Sequence, residues 1–514
     1  MPGEPTQIGP WVGGLNTQSD QTSIADNQAV IIENMELDLD GSLVSRPPIV
    51  DLAIAFPLGV TGNMQLLGYY YAPGSVPYLL ASDGLSSTYY FTGTSWTLIT
   101  STISATAMAQ FNGLAYMLAP VGSTNPGGSW SPSTGFVAEP NMPKGEAIVA
   151  YKFRLWIALG INATTNGTSL YYSKVLGTAG GIWITVPDFI NIGSGDGQNI
   201  VQLVTYYQSI LIFRSGSTYS FQFTSDPAAG QISQILPNIG LSDKDAVASF
   251  ESFLYFMYND KAYEFINNRA TQVNTSVPLR AISRAGIYKP YAVSIFGNRA
   301  IFSYYDTLFA FNITTRTWTT WKSPLRGPIG KIVTLQQNNQ FAQAICHSSS
   351  FVATGGSRTA KTLRITDGLT TDAEAFSCTL LTKNYNYNTS GSYKRLFYWG
   401  ADAVFRSTVT AIVTPIVYNY AVTWGQMLAF TWGAAKNFTW AQPISGTIAV
   451  TTIRNTSGGG AIRKFVKFDK SLRFRQANFK LVFDTDGSTS SAPIRIFSLM
   501  TYVKVKERVV QTVT

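Results

Sequence analysis

The chain has one histidine, His347 in "ICHSSS", directly after Cys346, one of only two cysteines. A Ser-His-Asp hydrolase would have to use that imidazole, yet no Gly-x-Ser-x-Gly turn is present to expose a nucleophile. A lone His beside a lone Cys also lacks the ligand spacing of a zinc centre. The stretch "GSGDGQN", Gly193 to Asn199, is glycine-rich. It leads into a strand rather than a helix, so it has the chemistry of a turn and not of a phosphate cradle. It also lacks the further carboxylates of a calcium loop. Asp83, Asp188, Asp196, Asp226 and Asp260 fall in expected loops, where aspartate ordinarily bonds its own turn. Two carboxylates could still serve a glycosidase, but their spacing singles out no pair. The residue types point away from an enzyme, and no cofactor or metal is expected.

Charge carries more information. The net charge of +9 is unevenly placed: from Ala375 onward there are 17 Lys/Arg against 5 Asp/Glu, and before it 20 against 23. Arg463, Lys464, Lys467, Arg473 and Arg475 crowd together, with Lys504, Lys506 and Arg508 further on. In "VKFDKSLRFRQ" the apolar residues Val466, Phe468, Leu472 and Phe474 alternate with Lys467, Asp469, Arg473 and Arg475, as on a strand with one covered face. The basic face is open to three readings: a solvated surface, a subunit interface, or a surface facing nucleic acid.

The elements that must position these residues are strands. Charged residues are 13% and aromatics 13%, with abundant Gly, and few windows place Ala, Leu, Glu and Lys at helical spacing. An all-β chain follows. The hairpin "YYQSILIFRSGSTYSFQF" at Tyr206 returns as "SFESFLYFMYNDKAYEFI" at Ser249 and "IFGNRAIFSYYDTLFAFN" at Ile295. Weaker copies start at Phe111 and Tyr151, with outermost candidates near Met64 and Gly330. Units starting near residues 64, 107, 147, 201, 246, 291 and 330 have the period of β-propeller blades. The spacing predicts a propeller of six or seven blades over 59–370, against the alternative of two large β-sandwiches. Trp96, Trp318 and Trp321 fall late in their units and are expected to pack between blades.

The ends differ from this repeat. Residues 1–58 are too polar to fold alone. They read as an N-terminal arm with a short helix capped by Asp26 through Ala29, Ile32 and Met35, then a hairpin turning at Asp40–Gly41. This arm is expected to pack with a basic β-sandwich platform over 371–514. No signal peptide and no run of about 18 apolar residues is present. Two cysteines make no disulfide framework, so both are expected free in a reducing cytoplasm.

With the ends and the repeat laid out, the chain resembles the tail nozzle or tail-hub family of short-tailed bacteriophages, the tail tubular protein B group. The resemblance rests on "GGLNTQSDQTSIADNQAVIIENMELDLDGSLVSRP" (Gly13 to Pro47), on "INIGSGDGQNIVQLVTYYQSILIFRSGSTYSF" and "ILPNIGLSDKDAVASFESFLYFMYNDKAYEF" (Ile190 to Phe265), and on "KSLRFRQANFKLVFDTD" (Lys470 to Asp486). These motifs are structural, and relatives occur in long-tailed phages too. The resemblance implies a virion protein without enzymatic activity, made and assembled in the host bacterial cytoplasm. It implies a ring, commonly a homohexamer, that continues the DNA channel, retains packaged double-stranded DNA and releases it on infection. It also implies contacts with tail adaptor or connector proteins and tail fibres. A receptor- or glycan-binding propeller, with exposed aromatics in loops at one mouth, is the alternative; a propeller glycosidase is a further one.

Overall fold

The computed structural model describes residues 6–51, 65–72, 77–160, 167–176, 182–185, 187–193, 196–250, 253–277, 291–304, 307–322, 329–337, 340–348, 361–366, 376–385, 387, 394–405, 410–418, 446–447, 451–454, 460–474, 476–484 and 494–505. They are almost entirely strand, and none of the described helices is long and apolar enough to cross a membrane. The chain forms two compact units, 49–309 with 323–368, and 1–48 with 310–322 and 369–514.

The first unit is a seven-bladed β-propeller. Its blades begin at Gln65, Met108, Ala147, Ile200, Val247, Tyr291 and Ile329, within a residue or so of the repeat starts read from the sequence. In each blade successive strands pair antiparallel in chain order. The first strand of blade 7 packs beside that of blade 1, so the ring closes. Blade 7 is completed from the other end of the unit: Ile49–Asp51 pairs antiparallel with Lys361–Thr366, with Val50 opposite Arg364.

Blades stack because each sheet has apolar residues on both faces. Ile210, Leu211, Ile212 and Phe213 are all fully buried, which is why that strand reads as an unbroken apolar run. Trp156 of blade 3 meets Phe221 of blade 4 at 5.3 Å, and Phe213 meets Phe256 of blade 5 at 5.3 Å. Each such ring contributes roughly 1.5–3 kcal/mol by leaving water. Trp96 fits this pattern, partly buried in a cluster with Phe91 of its own blade and Val333 of blade 7. Trp318 and Trp321 are buried in the other unit, where Trp318 packs on Phe311.

The second unit is a β-sandwich of two sheets. One has the order Gly460–Phe474, Lys394–Phe405, Arg495–Val505, Leu43–Ser45, Met35–Leu37, with Thr6–Ile8 also on Arg495–Val505. In the other, Thr317–Lys322, Gln28–Glu33, Ser377–Thr382, Gln476–Asp484 and Thr410–Tyr418 follow one another. Residues 28–33 and 35–37 thus place the N-terminal segment in both sheets. The expected boundary at 59 moves to Ile49, and Ala310–Lys322 joins the sandwich unit.

The short helix expected at Asp26 is not formed. Gln28–Glu33 is a strand between two others. Ala29 and Ile32 are buried at helical spacing, but a bulge between Ala29 and Ile31 lets a strand bury the same residues. Val30 and Ile31 are β-branched and favour the extended form. Asn34 then takes φ +58° and turns the chain from one sheet into the other. The hairpin between Met35–Leu37 and Leu43–Ser45 turns at Asp40–Gly41, where Gly41 has φ +82°.

Candidate interaction surface

Five of the eight basic residues singled out in the sequence lie on two strands of one sheet of the second unit. Arg463, Lys464, Lys467 and Arg473 lie on Gly460–Phe474, and Lys504 on Arg495–Val505. The strand Lys394–Phe405 runs between them. Arg475, Lys506 and Arg508 lie outside the described residues.

Register shows which residues share a face. Arg395 stands opposite both Arg473 and Lys504, giving a cross-strand row of three basic residues. The next row on that face, two residues along Arg495–Val505, is Lys467, Tyr398 and Tyr502. Further along, Arg463 lies opposite Asp402, which lies opposite Ser498. Lys464 stands in a different register row, that of Ala401 and Leu499. Leu396, Ala401, Leu499 and Thr501 are buried, while Tyr398 and Tyr502 are half-buried, their rings edge-on at 6.0 Å.

The sheet's far end is neutralised. Arg495 bonds Asp38 at 2.9 Å and Asp40 at 3.3 Å. A hydrogen bond from Ser42, with Arg495 nearby, holds the Asp40 carboxyl below its ordinary value.

The candidate chemical residues serve their own surroundings. Asp83 accepts three backbone N–H bonds from its own turn, and Asp226 caps a single 3-10 turn. Asp188 pairs with Lys174 at 2.6 Å. Asp260 sits at the Asn259–Asp260 hairpin tip, both residues at positive φ. Asp196, in the glycine-rich stretch, pairs with the fully buried Arg214, whose guanidinium also donates to the Gln198 carbonyl. The Arg214 guanidinium holds the Asp196 carboxyl below its ordinary value. Cys378 is free and buried, its thiol donating to the Asn34 carbonyl at 3.2 Å. His347 stands in register with Lys331 and Thr362 on a strand of blade 7.

A charged cluster at the propeller axis escaped sequence reading. Lys244, before blade 5, donates to the carbonyl of Thr106, before blade 2, at 3.3 Å. Since the two entry loops lie three blades apart, this bond crosses the axis at that mouth. Asp245 pairs with Lys331 of blade 7 at 2.9 Å, and its carbonyl accepts from the Val293 N–H of blade 6. Burial, with Asp245 beside it, pushes the Asp243 carboxyl up to about 6. The only signal in the sequence was the charge alternation of "SDKD".

No family model matches the chain, and no curated protein matches it. Among solved structures it is similar to the Pan2 WD40 domain of Neurospora crassa, with 8% identity over 63% of this chain and 95% of that one and a TM-score of 0.41. The Cps50 (Swd1) beta-propeller domain of Myceliophteria thermophila gives 9% identity over 62% and 100%, with a TM-score of 0.42. YCF48 from Cyanidioschyzon merolae gives 9% over 60% and 97%, with a TM-score of 0.39. The propeller assignment rests on strand pairing and ring closure in the chain itself.

Proposed function

We propose that the chain is a structural virion protein of a bacteriophage tail, a nozzle or hub subunit that assembles into a ring, commonly of six copies. The ring continues the DNA channel, holds packaged DNA and lets it pass into the host. The sequence resemblance supplies the family, and the basic cross-strand row supports the assembly role. A row of Arg473, Arg395 and Lys504 in one register gains from an acidic surface set against it. Opposite charge across an interface also fixes docking register.

DNA is the competing counter-charge. Each phosphate contact would make affinity fall with salt, log K against log salt having a slope of about −0.9 per phosphate. A wall with that grip opposes rapid passage. The row therefore faces a neighbouring subunit or an adaptor protein. The chain acts without catalysis or cofactor.

The test is Lys467→Glu/Arg473→Glu/Lys504→Glu. Wild-type protein gives closed rings in negative-stain images and native mass spectra, while the variant stays monomeric or fails to join its adaptor. Rings that form normally from the variant, in particles that leak DNA, would place the face on the DNA path instead.

A further inference from the structure

The first-hairpin turns of blades 2, 3, 4 and 6 lie at one mouth of the propeller, and they do not all obey the same chemistry. Blade 2 uses Asn112 and Gly113, at φ +49° and +74°, and blade 6 uses Gly297 at φ +57°. Those are the residues a left-handed turn asks for. Blade 3 uses Lys152 and Phe153 at φ +46° and +59°, and blade 4 puts Tyr207 at φ +49°. A bulky ring in that region is a steric outlier, and such outliers point to function when the surroundings enforce them.

Neither ring is there to fill a core. Phe153 is 76% exposed and Tyr207 64% exposed. The residues beneath them are fixed. Tyr151 lies edge-on to Phe223 at 5.7 Å, and the Lys152 ammonium bonds the Phe223 carbonyl and stands 5.0 Å from that ring. Tyr206 meets Tyr207 at 4.7 Å and Phe265 at 5.2 Å. Blades 3 and 4 are neighbours in the ring, so the two exposed rings stand on adjacent turns at one mouth.

The occupant must match two exposed rings set among polar groups. Gln208, Gln222, Ser225 and Asp226 are exposed around them at the same mouth. A protein partner would need about 800 Å² on each side with a continuous apolar centre, which two rings on separate turns do not make. A pyranose chain fits: each sugar lays an apolar C–H face on a ring and offers its hydroxyls to amides and carboxylates. We propose that the mouth of blades 3 and 4 is a carbohydrate-binding site, with Phe153 and Tyr207 as stacking platforms for units of one polysaccharide chain. This site stands independently of ring assembly through the sandwich sheet.

The full chain is tested on an array of bacterial surface polysaccharides and their oligosaccharide fragments. The wild type binds a subset. Phe153→Asn and Tyr207→Asn each weaken that binding at least tenfold, while Phe153→Tyr retains it. Because asparagine suits a left-handed turn, the Asn variants melt at the same temperature as wild type or higher. A wild type that binds no glycan on the array, or Asn variants that bind as wild type does, would overturn the proposal.

Discussion

Replacing Asn34 with alanine attacks the corner where the N-terminal segment passes between the two sandwich sheets. Asn34 is 5% exposed, and its short side chain is fully engaged. Its amide donates to the Ser377 carbonyl at 2.7 Å, and its oxygen accepts from Arg46 Nε and from the Lys322 backbone, each at 2.9 Å. Alanine leaves the buried Arg46 Nε donor unmatched, and with it the part-buried Ser377 carbonyl and Lys322 N–H, each costing up to about 1–3 kcal/mol. Some of these find other partners, since Arg46 also donates to the carbonyls of Pro47 and Lys322. Holding alanine at φ +58° adds about 1 kcal/mol. The expected loss is about 2–4 kcal/mol in the sandwich unit. Asn34→Gly keeps the conformation without the side chain and should lie about 1 kcal/mol above alanine. Hydrogen exchange over Gln28–Glu33 and Ser377–Thr382 reports this unit separately from the propeller, where exchange stays unchanged. An alanine variant within about 1 kcal/mol of wild type, or glycine below alanine, would refute the reasoning.

Two further outcomes follow from the other contacts. The Asp243 carboxyl, raised to about 6 in the fold against an ordinary 3.8, binds its proton more tightly when folded. Its contribution is therefore full below about pH 4 and lost as pH rises through 6, roughly 2 kcal/mol after allowing for partial solvent access. Asp243→Asn should raise the melting temperature at pH 8 and change little at pH 4.5; equal shifts at both pH values would exclude this origin. Deleting residues 1–48 removes the strand between Thr317–Lys322 and Ser377–Thr382 as well as both strands at the edge of the other sheet. Exchange protection should vanish over 377–382, 476–484 and 495–505 while the blades keep theirs, and retained protection there would show that the sandwich closes without its N-terminal strands.

The blades were legible because their pairing is local. A hairpin such as Ile210–Phe213 with Tyr219–Phe223 carries its own turn and alternation, so the repeat starts coincide with the observed strands. The sandwich was not, since its neighbours lie hundreds of residues apart: Ile32 pairs with Leu380, and Thr6 with Thr501. Nothing in "QAVIIENM" distinguishes a bulged strand from one helical turn until Asn34 is known to bend left-handed. The basic row was half visible. Alternation placed Lys467 and Arg473 on one face, but Arg395 joined them only through register. The exposed rings needed turn geometry: an aromatic in a two-residue loop between apolar strands, as at Phe153 and Tyr207, was the signal available.

The seam of blade 7 also sets an order in time. Ile49–Asp51 leaves the ribosome long before its partner Lys361–Thr366, with roughly 310 residues in between. At ~5–20 residues per second that is about 15–60 s of synthesis. Throughout that interval the early blades can form and stack, but the circle has a gap and two unsatisfied sheet edges. A chain cut short at any point before residue 361 keeps that gap permanently, with bare edges that invite proteases and chaperones. Joining the seam thus certifies that translation has run through the whole propeller, and incomplete copies remain distinguishable from finished ones before any assembly begins.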